Sequence, residues 1–200
     1  MNESVHLIGM SGSLRKESFN TRLLFAAQEL LPENVTMRIV SIANLPLYNA
    51  DLDLPTAEQR PPIIQQLRDL LATGDGFVFV SPEYNYSIPG GLKNAVDWAS
   101  RGQDSPLLHK PAAVMGATQG MWGTVRMQTA FLPVFTFLNM KPVLKPEVLV
   151  AQAAKKFDAQ GKLIDGKAKD LIRQKLNALK ELILKERAYA SIHHAAVPWR

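Results

Sequence analysis

The sequence predicts a doubly wound α/β sheet of five parallel strands with helices on both faces. Short apolar, strand-like runs alternate with helical patterns along the whole chain. The runs lack a polar face, as parallel strands buried on both sides do. No internal repeat, low-complexity tract or linker interrupts the alternation, so one domain spanning residues 1–200 is expected.

The elements follow in order. Residues 5–10 are a short apolar run ending in small polar residues, and residues 19–31 carry Leu23, Leu24, Ala27, Leu30 and Leu31 at helical spacing. Residues 36–42 make a second strand. The Pro-, Asn- and Asp-rich stretch 43–62 reads as a loop too long to be an idle connection. A helix over 63–72 is stopped by Gly74, and residues 76–81, β-branched and aromatic, are the clearest strand and belong at the centre of the sheet. A helix over about 90–100 and a strand over 111–117 come next. A Gly-containing turn over 116–123 leads into a helix reaching about residue 140, in which Pro133, lacking an N–H, is expected to cause a kink. Residues 143–150 supply the fifth strand, interrupted at Pro146. Residues 168–188 form a final amphipathic helix on Leu171, Ile172, Leu176, Leu179, Leu182 and Ile183.

Composition narrows the functions. Two hundred residues, 46% hydrophobic and 20% charged, can bury a core without disulfides or metals. The longest apolar runs fall short of the roughly 20 residues of a membrane span. The start, Met1-Asn2-Glu3-Ser4-Val5, lacks the basic and apolar regions of a signal peptide, so a cytoplasmic protein is expected. With no cysteine, thiolate nucleophiles and Fe–S ligation are excluded and any redox chemistry must ride on a bound cofactor. The formal charge of +5 is dispersed, without a basic stripe interleaved with aromatics, so neither nucleic acid nor membrane is an expected partner. A mildly positive surface does attract anionic small molecules. His6, His109, His193 and His194 form no ligand set, and no metal is expected. Asp97 and Trp98 read as helix-face packing.

Two loops at strand ends carry the chemistry. Gly12 to Asn20 offers hydroxyls and an arginine where a helix begins, an arrangement that suits an anion. Ser11, Ser13, Ser18 and Asn20 can donate to phosphate oxygens and Arg15 can pair with them through its planar fork. Ser18 can equally serve as a simple N-cap. Neither a P-loop nor a G-x-G-x-x-G fingerprint is present. The second loop, Pro82 to Gly91, orders Pro, Tyr, Asn and a Gly pair into a rigid, backbone-exposing turn. A flat heteroaromatic ring could find N–H donors there, with Tyr84 or Tyr86 beside its face; a plain surface turn is the other reading. Both loops, and the 116–123 turn, fall at the carboxyl ends of strands, where doubly wound sheets bind ligands. A nucleotide or a flavin fits this pair.

The segments Gly9-Met10-Ser11-Gly12-Ser13-Leu14-Arg15-Lys16-Glu17-Ser18-Phe19-Asn20 and Pro82 through Arg101, with Leu45-Pro46-Leu47-Tyr48-Asn49-Ala50-Asp51-Leu52, resemble the NADPH-dependent FMN reductase family, in particular its chromate and quinone reductase branch, related to azoreductases. The resemblance covers roughly residues 4–185 and leaves a tail over about 189–200. It implies a flavodoxin-like fold and non-covalent FMN. It also implies hydride transfer from NADPH or NADH through the flavin to quinones, chromate, azo compounds or free flavin. By position it implies that Ser11, Ser13, Arg15, Ser18, Phe19 and Asn20 hold the FMN phosphate, that Pro82, Glu83, Tyr84 and Asn85 meet the isoalloxazine, and that Thr118 and Gly120 line a third loop. No catalytic side chain is expected, because the flavin carries the chemistry. Family members are commonly homo-oligomers, dimers or tetramers; Met121, Trp122 and residues 131–138 suit such an interface, or plain core. The chain departs from the family pattern at Gly123-Thr124-Val125-Arg126, where Gly-Gly often precedes the arginine. A flavodoxin-like electron carrier that does not itself oxidise nicotinamide is the alternative; such carriers are usually acidic, and this chain is basic.

Overall fold

In the computed structural model, which describes residues 4–193, the five strands are β1 (Val5–Ser11), β2 (Val35–Val40), β3 (Gly76–Val80), β4 (Pro111–Ala117) and β5 (Lys141–Val150). All pair in parallel, in the order β2-β1-β3-β4-β5. That is the flavodoxin-like doubly wound order, with its switch point between β1 and β3. Burial explains the positions. Every residue of β3 and β4 is buried, as central strands require, whereas β2 and β5 mix buried and exposed residues and lie at the edges.

The helices divide between the faces. Helices α1 (Phe19–Glu29) and α5 (Gly166–His193) cover one, packing on Val78, Val80, Ala113 and Met115. Helices α2 (Pro62–Ala72), α3 (Gly90–Ala99) and α4 (Val125–Phe137) cover the other, on Phe77, Phe79, Ala112 and Val114. The period-2 alternation of β3 thus sends its phenylalanines to one face and its valines to the other. Phe79 meets Phe131 at 5.0 Å between ring centroids, a pairing that adds about 0.5–1.5 kcal/mol to area burial.

Several boundaries differ from expectation. Strand β5 starts at Lys141 and runs through Pro146 rather than stopping there, but its pairing slips: it advances from Val143 to Val148 while β4 advances only from Ala113 to Met115. Helix α4 contains Pro133 and ends at Phe137, short of residue 140, because the N–H of Met140 turns back to the carbonyl of Phe135 at 2.9 Å. Helix α5 continues to His193, through residues expected as tail; residues 194–200, with His194, lie outside the described residues.

The long segment 43–61 is strapped down rather than loose. Trp98, fully buried, donates its indole N–H to the carbonyl of Pro46 at 2.8 Å, and Asn94 holds Pro46 and Tyr48 from the same helix face. Farther along, Arg60 and Asp53 pair at 2.5 Å with both side chains 2% exposed. Arg60 and Arg68 converge on Asp104 at 3.2 and 2.9 Å. Burial opposes the Asp104 charge, but the bonds from Arg68 and Arg60 outweigh it and hold that carboxyl below its ordinary range.

The start of α4 is strained. Thr124 sits at φ +69°, the left-handed region that a β-branched residue rarely enters, and its buried Oγ1 has no hydrogen-bond partner among the described residues. The strain and the orphaned hydroxyl together outweigh the backbone entropy that glycine brings. Thr124→Gly is expected to stabilise the fold by about 1 kcal/mol in denaturant melts; a loss of stability would show that the threonine methyl packing dominates.

Candidate functional site

A cleft of about 260 Å³ opens at the carboxyl ends of β1, β3 and β4. Two glycines let its three loops approach. A Cβ on Gly12 would come 2.1 Å from Ser81 Oγ, and a Cβ on Gly116 would come 2.1 Å from Thr124 Oγ1 and 2.5 Å from the carbonyl of Ser81. Ser81, wholly buried at the end of β3, is the hub around which the β1 and β4 loops close.

The β1 loop is built by its own hydroxyls. Ser11 Oγ lies 2.8 Å from Thr21 Oγ1 and accepts the N–H of Ser13, and Ser13 Oγ accepts the N–H of Arg15 at 3.3 Å. Ser18 is the N-cap of α1: its Oγ accepts the N–H groups of Asn20 and Thr21 at 3.2 and 3.3 Å. A hydroxyl that accepts twice still has its own hydrogen to donate. The two readings of Ser18 are therefore compatible. Asn20 is buried and clasps β4, donating Nδ2 to the carbonyl of Ala117 at 2.9 Å and accepting its N–H on Oδ1 at 2.8 Å. One amide hydrogen remains for a ligand.

In the second loop, Tyr84 and Ser87 exchange backbone hydrogen bonds at 3.1 and 2.9 Å, forming a tight turn with Asn85 and Tyr86 at positive φ at its tip. The Glu83 carboxylate accepts the N–H groups of Arg126 and Met127 at 2.9 and 3.2 Å. It thereby caps α4, whose N-cap residue Thr124 makes no side-chain cap bond, and its negative charge sits at the positive end of that helix.

Nine of the twelve expected residues line the cleft: Ser13, Arg15, Ser18, Phe19, Asn20, Pro82, Glu83, Tyr84 and Thr118. Ser11, Asn85 and Gly120 do not line it. Ser11 orders the loop from behind, Asn85 is at the turn tip, and Gly120 accepts the N–H of Gln152 at 2.9 Å. Ala117 and Gln119 line it without having been singled out, although the end of β4 is where the strand pattern places ligand contacts. Arg126 also went unnoticed as a partner: its guanidinium lies 4.1 Å above the Tyr86 ring and 5.5 Å from Trp122, beside Glu83. Nothing local in the sequence signals its contacts with Tyr86 and Glu83, some 40 positions away.

The donor set fits FMN. One end gathers Arg15, the hydroxyls of Ser13 and Ser18 and the N-terminus of α1, a set whose chemistry suits a phosphate dianion. The other offers the Pro82–Tyr84 backbone and the half-exposed Tyr84 ring, with the Glu83 charge already spent on α4. Such an end suits a flat polar ring. Among the described residues, no group of three or more His, Asp or Glu side chains is placed to hold a metal, and no helix is long and apolar enough to cross a membrane.

Comparisons with known proteins agree with this geometry. The sequence profile of the NADPH-dependent FMN reductase family matches residues 5–155. The chain is 42% identical over 179 residues to the NAD(P)H-dependent FMN reductase PA1204 of Pseudomonas aeruginosa, covering 90% of this chain and 95% of the relative. It is 37% identical over 185 residues to a quinone reductase of Escherichia coli, covering 92% and 97%. Among solved structures, FerB of Paracoccus denitrificans, a flavoenzyme NAD(P)H:(acceptor) oxidoreductase, superposes with a TM-score of 0.80 at 31% identity, over 90% of this chain and 98% of that one. The chain therefore belongs to the NADPH-dependent FMN reductase family, and its cofactor is FMN.

Proposed function

We propose that this protein is an NAD(P)H:quinone oxidoreductase that works through FMN bound in the strand-end cleft. The observation that carries the proposal is the pairing, in one cleft at the β1/β3 switch point, of an anion-binding end with an uncharged ring-binding end. Arg15, Ser13, Ser18 and the α1 N-terminus hold the phosphate, with Asn20 and Phe19 beside it. Pro82, Glu83 and Tyr84 receive the ring on their backbone, and Thr118 borders it from the β4 loop. Ser11, Asn85 and Gly120 support these contacts from outside the lining. When bound, FMN supplies both hydride acceptance and hydride donation, so the side chains orient and shield rather than attack. Next to the cleft, Tyr86 and Trp122, each about two-thirds exposed and bridged by Arg126, present flat surfaces suited to aromatic acceptors such as quinones. Azo compounds, chromate and free flavin fall within the reach of the same open site. We further infer that the reaction runs in the cytoplasm, a compartment that supplies the NADPH and NADH such a reductase would use.

The protein is further inferred to be a homo-oligomer, a dimer or tetramer, through α3 and α4. Phe131, Phe135 and Leu138 belong to the core, but Phe137 is 70% exposed and borders an apolar groove of about 290 Å³ between those helices. A second copy, not core, is what is left to cover it. Light scattering at micromolar concentration should show more than one chain; a monomer removes this inference.

An anaerobic titration tests the function. The FMN-loaded protein should bleach on adding NADPH or NADH and regain its absorbance on adding a quinone. Arg15→Ala should weaken FMN by about tenfold, the loss of one charge-assisted contact, while sparing riboflavin, which has no phosphate. Protein that binds FMN but does not oxidise a nicotinamide would be an electron carrier instead.

A further inference from the structure

A second cavity lies where α4 meets the β5 edge of the sheet. Where β5 advances five residues, from Val143 to Val148, against two on β4, the ladder lapses across residues 144–147 and the strand bulges outward. Under the bulge is a cavity of about 220 Å³ between β4, β5, α4 and α5, largely apolar through Val114, Leu132, Phe135 and Leu144 but lined also by the Lys145–Glu147 pair. It shares no lining residue with the cleft.

Into this apolar space α5 places a lysine. Lys175 is 2% exposed, and among the described residues its ammonium reaches just one acceptor, the Leu144 carbonyl freed by the bulge, at 3.4 Å. An ammonium has three hydrogens to donate, so the group is underpaired where pairing matters most. Its charged neighbours do not supply the lack. On β5, the Glu147 carboxylate is held by Lys145 at 2.8 Å. On α4, Gln128 gives its amide to the Val148 carbonyl and Thr129 its hydroxyl to the Val125 carbonyl, and neither is charged. Burial pushes the Lys175 amine down to about 8, against the opposing pull of Glu147 and with a smaller push from Lys145. The lysine is therefore still cationic at neutral pH, at a cost that an anion in the cavity would offset.

We propose that this cavity binds a small amphiphilic monocarboxylate, of the short-chain fatty acid type, with its chain against Leu132 and Phe135 and its carboxylate paired with Lys175. A carboxylate there forms a desolvated, charge-assisted hydrogen bond, while the alkyl chain leaves water for the apolar walls.

The test is calorimetric titration of hexanoate into the FMN-loaded protein. Saturable binding of one hexanoate per chain is expected at pH 7, with hexanol, which has the same chain and no charge, at least about tenfold weaker. Binding should weaken as pH rises from 7 to 9.5, because the lysine loses its proton near 8. Lys175→Met, close in volume, should cost hexanoate about tenfold and leave the flavin content and visible spectrum unchanged. The proposal is overturned if hexanoate does not saturate, if hexanol binds as tightly, if Lys175→Met keeps full affinity, or if hexanoate perturbs the flavin spectrum and so occupies the cleft. Should Lys175→Met fail to fold, the hexanoate–hexanol contrast and the pH series in the wild type decide alone.

Discussion

The clasp between Asn20 and Ala117 holds the site together. Strands β1 and β4 are not neighbours in the sheet, since β3 separates them, yet the start of α1 and the last residue of β4 are joined by two hydrogen bonds from one buried amide. These bonds bring the β1 loop and the β4 loop together over the end of β3. The glycine contacts around Ser81 then become necessary, because loops drawn this close leave no room for a Cβ at Gly12 or Gly116. Breaking the clasp strands the N–H and carbonyl of Ala117 in a buried place, at about 1–3 kcal/mol for each.

Charge placement divides the cleft into two ends. Arginine, hydroxyls and a helix N-terminus make one end electropositive. The single carboxylate at the other end would repel an anionic cofactor if it were free. Tying Glu83 to the first turn of α4 removes that repulsion and also supplies the cap that the strained Thr124 cannot. One contact thus fixes the ring loop, completes a helix and silences a charge. By contrast, Lys175 beneath the β5 bulge has no such partner among the described residues.

Most of the fold was legible because it follows from periodicity. Runs without a polar face marked the central strands, and β4 was read to the residue. The slip in β5 was not legible: Pro146 marks an irregularity, but whether the strand stops or bulges depends on its pairing with β4. The three site loops were located by their position after strands. Their division of labour was only partly legible: Ser18 could be read as an N-cap, whereas Ser11 and Asn20 look alike as donors in one dimension. Only their partners separate them, namely Thr21 for Ser11, the α1 backbone for Ser18 and Ala117, 97 residues away, for Asn20. Glu83 lines the cleft, but its carboxylate is engaged 43 residues downstream at Arg126, a pairing its place in the loop does not announce. Such through-space pairings leave no periodic trace.

The most direct measurement is the affinity of Asn20→Ala for FMN and for riboflavin, read by quenching of flavin fluorescence. If Asn20 positions the loops, both flavins lose affinity together, by about tenfold or more, because the ring and phosphate ends are displaced alike. Unchanged affinity for both, or a loss confined to FMN, would contradict this and make Asn20 either dispensable or a phosphate ligand alone.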